Sequence, residues 1–318
     1  MLVRTVFNSR AAVAAFQAGS KAAGRQAARS LSTLRITDDN ISASEKLELL
    51  WSQQKRNNAV SAVAPSDNAA FESTVTGKFP GAISNKDLEQ KVVGMLEGKG
   101  FTPKNTLLAT SLCADELARV IEDDFVKIYG NNFNLGGLAG FPFAGNTGFG
   151  AMSAHIPDDG YCFIIYGPHV GVTADGVVGK VERNGIALVD TCCGSAIAAS
   201  NYLSGITDGG AQITMNLQQF SDFQQGAVQE LILPHGKRLS DAADRMVELP
   251  YALYDSQDVL VNDIVQAGAG GVKGGVVLLG GIQINTGPDT YDYFHPLRFD
   301  FINNKGELIE NMLPELTK

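Results

Sequence analysis

The sequence predicts an α/β protein whose mostly parallel sheet is buried on both faces and flanked by helices. Three observations carry this prediction. The runs "TLLATSLC" (106–113), "YCFIIYG" (161–167), "GIALVDTCC" (185–193) and "GGVVLLGGIQINT" (274–286) are largely apolar, without the polar alternation of a half-solvated strand. Helical patterns lie between them. The 35 glycines supply turns at their ends.

Taken in order, residues 1–37 hold Arg4, Arg10, Lys21, Arg25, Arg29 and Arg35 and no acid. That composition marks an organelle transit peptide, mitochondrial in first place and plastid in second. Without those six, 19 basic residues face 34 acidic ones, a balance near −15 that disfavours nucleic acid as a partner. No apolar run approaches the ~20 residues of a membrane span. The four cysteines, two of them adjacent, form no disulfide framework.

From Ser42, "SASEKLELLWSQQKRNNAV" reads as an amphipathic helix with Leu47, Leu50 and Trp51 on one face. A loop is expected from there to about residue 83. Residues 38–83 are thus an N-terminal helix and linker, and 84–318 the α/β domain. Ser84 and Asp87 form a capping box for a helix that Gly98 and Gly100 close. After the strand at 106–113, "DELARVIEDDFVKIY" is the next helix, and residues 130–150 form a loop rich in glycine and phenylalanine. The strand at 161–167 and a third at 185–193 follow, then the helix "GSAIAASNYLSGI". An interrupted helical stretch from about 215 to 265 leads to the strand at 274–286 and an acidic surface tail.

Three of the apolar runs end alike, on a soft or imidazole donor: Cys113, His169, and the pair Cys192 and Cys193. In open α/β sheets ligands bind beyond the carboxyl ends of the strands. Neighbouring strands would bring Cys113, His169 and one of the paired cysteines together there. Two thiolates and an imidazole suit Zn2+ and leave a fourth position open. Helices starting after Cys113 and Cys193 would favour the thiolates. The spacings match no short zinc motif, so convergence at strand ends is what the expectation rests on.

The segments "SLCADELAR", "NLGGLAGFPFAGNTGFGAMSAHIPD", "YGPHVGV" and "TCCGSA", in this order, resemble the limiting-CO2-inducible B/C proteins of algae, which include the theta-class carbonic anhydrases. The resemblance spans roughly 80–300. It implies a fold similar to beta-class carbonic anhydrases, a Cys-His-Cys zinc site with an Asp–Arg pair beside it, and a homodimer or a hetero-oligomer with a paralogue. By this resemblance Cys113 and His169 fit the first two ligands, and Cys193, directly before glycine, fits the third. Cys192 would then face away, as neighbours on a strand alternate.

The implied activity is reversible hydration of CO2 to bicarbonate, in which zinc lowers the pKa of its water to ~7 and the resulting hydroxide attacks CO2. Leu138, Phe141 and Phe143 could line the small apolar pocket that CO2 needs. Asp115 would govern the fourth zinc position, with Arg119, four residues on, keeping it off the metal. Beta-class enzymes carry the Arg two residues after the Asp, a departure that matches the algal group. His155 is either a proton shuttle or an ordinary loop histidine. His235 and His295 are expected in polar turns, Cys162 in the core, and "GAGGVKGG" (268–275) fails the phosphate-loop context and reads as a turn. Two rivals remain: a catalytically silent zinc-binding homologue acting as a partner subunit or scaffold, and a thiol enzyme using Cys113 with His169.

Overall fold

The computed structural model describes residues 41–58, 68–183, 189–207, 221–287 and 290–318, so the expected transit segment lies outside the described residues. Helices α1 (Ala43–Asn58) and α2 (Asn68–Lys78) come first. Strand β1 (Ile83–Ser84) runs into α3 (Asn85–Gly98), and β2 (Thr106–Ser111) is followed by a 3-10 turn at Glu116–Ala118 and α4 (Arg119–Tyr129). Next are β3 (Asn132–Asn134), a 3-10 turn at Leu138–Gly140 and α5 (Gly145–Ser153). Strands β4 (Tyr161–Tyr166), β5 (His169–Gly171), β6 (Lys180–Val181) and β7 (Asp190–Thr191) precede α6 (Gly194–Thr207). Then come α7 (Phe223–Ile232), α8 (Gly236–Asp241), the long α9 (Arg245–Gly268), β8 (Gly275–Asn285), β9 (Tyr293–Ile302), β10 (Leu308–Asn311) and α10 (Leu313–Leu316).

The main sheet has the order β1-β9-β8-β4-β2-β3, with β5 also on β8 and β10 on β9. Strands β3, β2, β4, β8 and β5 are joined by parallel pairings, and β9 adds an antiparallel edge. The expected mostly parallel sheet is therefore present. Its strands are apolar on both sides because both sides are covered. Along β4, Cys162, Ile164 and Tyr166 point into one cluster with Phe149, Met152, Val261 and Val265, while Phe163 and Ile165 point into another with Leu88, Val92, Ile121 and Phe125. All eleven residues of β8 are buried.

Ser84 caps α3 as expected, accepting from the Asp87 amide and donating to its carboxylate. Three expectations need correction. The 38–83 linker contains α2, and Leu47, Leu50, Val75 and Phe79 are buried in the two core clusters, so these helices pack as part of the α/β domain. Of the run at 185–193, the described residues 189–193 form no third buried strand: β7 is an exposed two-residue segment paired antiparallel with β6 in a separate ribbon, and the buried Cys192 and Cys193 follow it. Nor is the C-terminus a surface tail. Strand β9 lies in the sheet, and Met312 and Leu316 are buried beneath it.

Gly167 turns the chain from β4 into β5 at φ +149°, and a Cβ there would overlap the backbone carbonyl of Gly281 on β8. Gly167→Ala is therefore expected to cost more than the ~1 kcal/mol of an ordinary positive-φ substitution, read as a lowered Tm together with lost metal uptake. Among the described residues no helix is long and apolar enough to cross a membrane.

Candidate metal centre

Each candidate donor stands at the carboxyl end of a sheet element. Cys113 follows β2 by two residues, and His169 follows β4 by three and opens β5, which pairs with the last part of β8 in the register His169 to Gln283. The Gly171 amide of β5 donates to the Cys192 carbonyl at 3.0 Å, and the Cys192 amide donates to Gly179 at 3.0 Å. Those two bonds hold the Cys192–Cys193 segment against the end of β5. Cys193 then sits at the start of α6.

The ligand atoms of Cys113, His169 and Cys193 lie within 4.8 Å of one another, and all three residues are buried. The two sulfurs are 3.8 Å apart, about the separation of two thiolates bound ~2.3 Å from one tetrahedral zinc. His169 Nε2 is buried with no hydrogen-bond partner. An orphaned ring nitrogen beside two close thiols is the donor set zinc takes, so the residues present fit the ion. Cys192 is not turned away, as strand alternation would have it. Its sulfur stands 3.3 Å from the other ring nitrogen, Nδ1. Alternation fails because Cys192 and Cys193 lie past the end of β7, between strand and helix.

The Cys113 thiol facing Cys193, with the Ala196 and Ser195 amides at the start of α6, holds Cys193 below the usual thiol range against its burial. For Cys113 the facing Cys193 and burial push the thiol up. The helix-terminus expectation thus holds for Cys193 and not for Cys113, which leads into a 3-10 turn that Asp115 caps. At His169 burial opposes the charged ring, but the thiols of Cys192 and Cys113 outweigh it and hold its pKa above the ordinary value.

Asp115 pairs with Arg183, not with Arg119. The guanidinium grips the carboxylate through its two terminal nitrogens, at 2.9 and 3.1 Å, and also reaches Glu116. Burial raises the Asp115 pKa, yet Arg183, the Leu117 amide and the His169 charge prevail and hold it well below the usual carboxylate range. Arg119 instead pairs with the buried Glu122, which also accepts from Thr110 at 2.6 Å. The reason is local. Asp115 is extended (φ −62°, ψ 139°) and caps the 3-10 turn, so it shares no helix face with Arg119. Sequence reasoning missed Arg183, 68 residues from its partner and brought to it beside the β6–β7 ribbon.

Leu138, Phe141 and Phe143 pack in one apolar cluster with Cys113, Cys193, Ala196 and residues of α7 and α9. Ala139, between them, is left-handed at φ 54°, a strained conformation for a residue with a Cβ. Its carbonyl is held by Gln257 Nε2 at 2.7 Å and that of Gly140 by Ser111 Oγ at 2.9 Å. A rigid apolar wall therefore stands against the thiols.

Other positions fall outside this centre. His155 is exposed against the Phe133 ring, on the chain leading to the amino end of β4. Cys162 is buried against Met152, as expected of the core. His295 lies in β9 rather than a turn, and His235 bonds Ser256 at 2.9 Å.

An α/β domain with a thiol–imidazole–thiol set at its strand ends is thus defined by its own residues. The sequence profile of the limiting CO2-inducible proteins B/C beta carbonic anhydrases matches residues 82–303, and the chain belongs to this family. The structure resembles that of PtLCIB4, a homologue of the limiting CO2-inducible protein LCIB, at 43% identity and a TM-score of 0.70, over 76% of this chain and 99% of that one. A variant of PtLCIB4 gives 42% identity and a TM-score of 0.72 over 77% and 99%. LCIB itself, at 19% identity and a TM-score of 0.58 over 77% and 99%, shares the fold. No curated protein matches the chain significantly.

Proposed function

We propose that the chain is a zinc-dependent carbonic anhydrase that interconverts CO2 and bicarbonate. Three donors of the type and spacing zinc requires support this: Cys113, His169 and Cys193, with sulfurs 3.8 Å apart and His169 Nε2 otherwise unpartnered. Bound there, Zn2+ supplies an electrophile that makes water acidic near neutral pH.

The chain's own residues supply the rest. Asp115 brings a carboxylate oxygen within 4.8 Å of the His169 and Cys192 ligand atoms. Arg183 occupies both oxygens of that carboxylate, holding it as a hydrogen-bond acceptor beside the metal position rather than a fourth ligand. Leu138, Phe141 and Phe143 offer CO2 an apolar contact and keep bulk water from the thiols. Family membership agrees with this chemistry.

Stopped-flow CO2 hydration with the zinc-loaded chain tests the reading, beside metal analysis. A saturable rate above buffer is expected with about one zinc per chain. One zinc without such a rate would instead identify a silent scaffold or partner subunit. A chain that takes up no zinc would point to thiol chemistry at Cys113.

A further inference from the structure

We propose that Asn285, locked by Asp292 and by the Leu117 carbonyl, is a positioning residue that decides which nitrogen of His169 is presented to the metal. The inference rests on the zinc reading above and concerns the support behind the ligand.

Asn285 is the last residue of β8 and is 1% exposed. Its Nδ2 donates to the Leu117 carbonyl at 3.1 Å and to Asp292 Oδ2 at 2.9 Å. Asp292 is fixed in turn by the Thr286 amide, which donates to Oδ1 at 2.9 Å. A carbonyl and a carboxylate can only accept, so flipping the Asn285 amide would set its oxygen against two acceptors. Oδ1 must therefore face His169, and it stands 2.9 Å from Nδ1. Only a proton on Nδ1 satisfies that contact. The lone pair is then on Nε2, the nitrogen that has no protein partner. Cys192 stands on the same side of the ring: its sulfur lies 3.6 Å from Asn285 Oδ1 and 3.3 Å from Nδ1, not at the unpartnered Nε2.

An outer partner of this kind orients the ring and raises its basicity, and losing it typically costs 10–100-fold in metal affinity. Asn285→Leu is expected to weaken zinc by about that factor in a chelator competition. The exchanged pair Asn285→Asp with Asp292→Asn keeps an acceptor on Nδ1 and a donor at 292, sets its second oxygen against the Leu117 carbonyl, and is expected to recover part of the loss. A purely structural role for Asn285 predicts no such recovery. A measurement on the unaltered protein stands apart from whether the leucine variant folds. In 15N spectra of the zinc-loaded wild-type chain, His169 should show a protonated Nδ1 and a metal-bound Nε2. The opposite assignment overturns the proposal. So does an Asn285→Leu protein that binds zinc as tightly as wild type while Cys192→Ala does not, because the sulfur would then be the orienting atom. Wild type without stoichiometric zinc defeats the metal reading itself, an outcome distinct from either.

Discussion

Cys113→Ser is expected to abolish both zinc retention and CO2 hydration. A serine hydroxyl is a hard, poorly ionised donor where a soft thiolate is needed, and two remaining ligands do not close a zinc site. Bound zinc should fall from about one per chain to well under a tenth after dialysis against a mild chelator. Hydration should fall to the buffer rate with it. The fold should survive, because Cys113 lies past the end of β2 and serine is of similar size. Far-ultraviolet circular dichroism and a Tm close to that of the metal-free wild type check that point. A variant that keeps full zinc and full rate would remove Cys113 from the ligand set.

Arg183→Ala should have the opposite signature, with zinc retained and turnover lost. Without the guanidinium, Asp115 is a carboxylate with little solvent exposure that keeps the Leu117 amide but loses its paired cation. With zinc bound, the nearest compensating charge would be the metal, so the carboxylate is expected to swing into the fourth position and block it. A fall in kcat/KM of about 10²-fold is expected, equivalent to about 2.7 kcal/mol of barrier. Arg183→Lys should restore little, because an ammonium cannot grip both carboxylate oxygens at once. Adding Asp115→Ala to Arg183→Ala should reopen the site and recover part of the rate, a non-additivity that a general loss of stability would not produce. Arg119→Ala should leave hydration unchanged, since its partner is Glu122. An Arg119 effect larger than the Arg183 effect would reverse the assignment of the Asp115 partner.

The buried strands were legible because a sheet covered on both faces has no polar alternation to conceal it. Cys113 and His169 were legible because the chain ends of such strands collect at one edge, whereas Cys193 arrives there from the separate β6–β7 ribbon. Strand β9, "YFHPLRFDFI", was hidden by the opposite property. It is half-buried, carries His295, Arg298 and Asp300, and includes Pro296, which is tolerated where the β8–β9 register shifts at Gly280 and Gly281. Helix α2, "NAAFESTVTGK", has the serine, threonine and glycine content of a loop, and Val75 and Phe79 pin it from outside its local pattern. The Asp115 partner was misread because i,i+4 logic presupposes a helix, and the chain makes a 3-10 turn first. Asn285 gave no sign at all. An asparagine at a strand end is an ordinary turn former until the fold sets His169 against it.

Leu117 has one consequence of its own. Its amide donates to Asp115 at 3.1 Å, and its carbonyl accepts from Asn285 at 3.1 Å. A single peptide-bearing residue thus ties the acid in front of the imidazole to the amide behind it, and does so without its side chain. The requirement there is on backbone position, to which most side chains are indifferent. The strap between the two halves of the centre can therefore stay fixed in space while the letter that encodes it drifts, with proline, which has no amide hydrogen, outside that freedom.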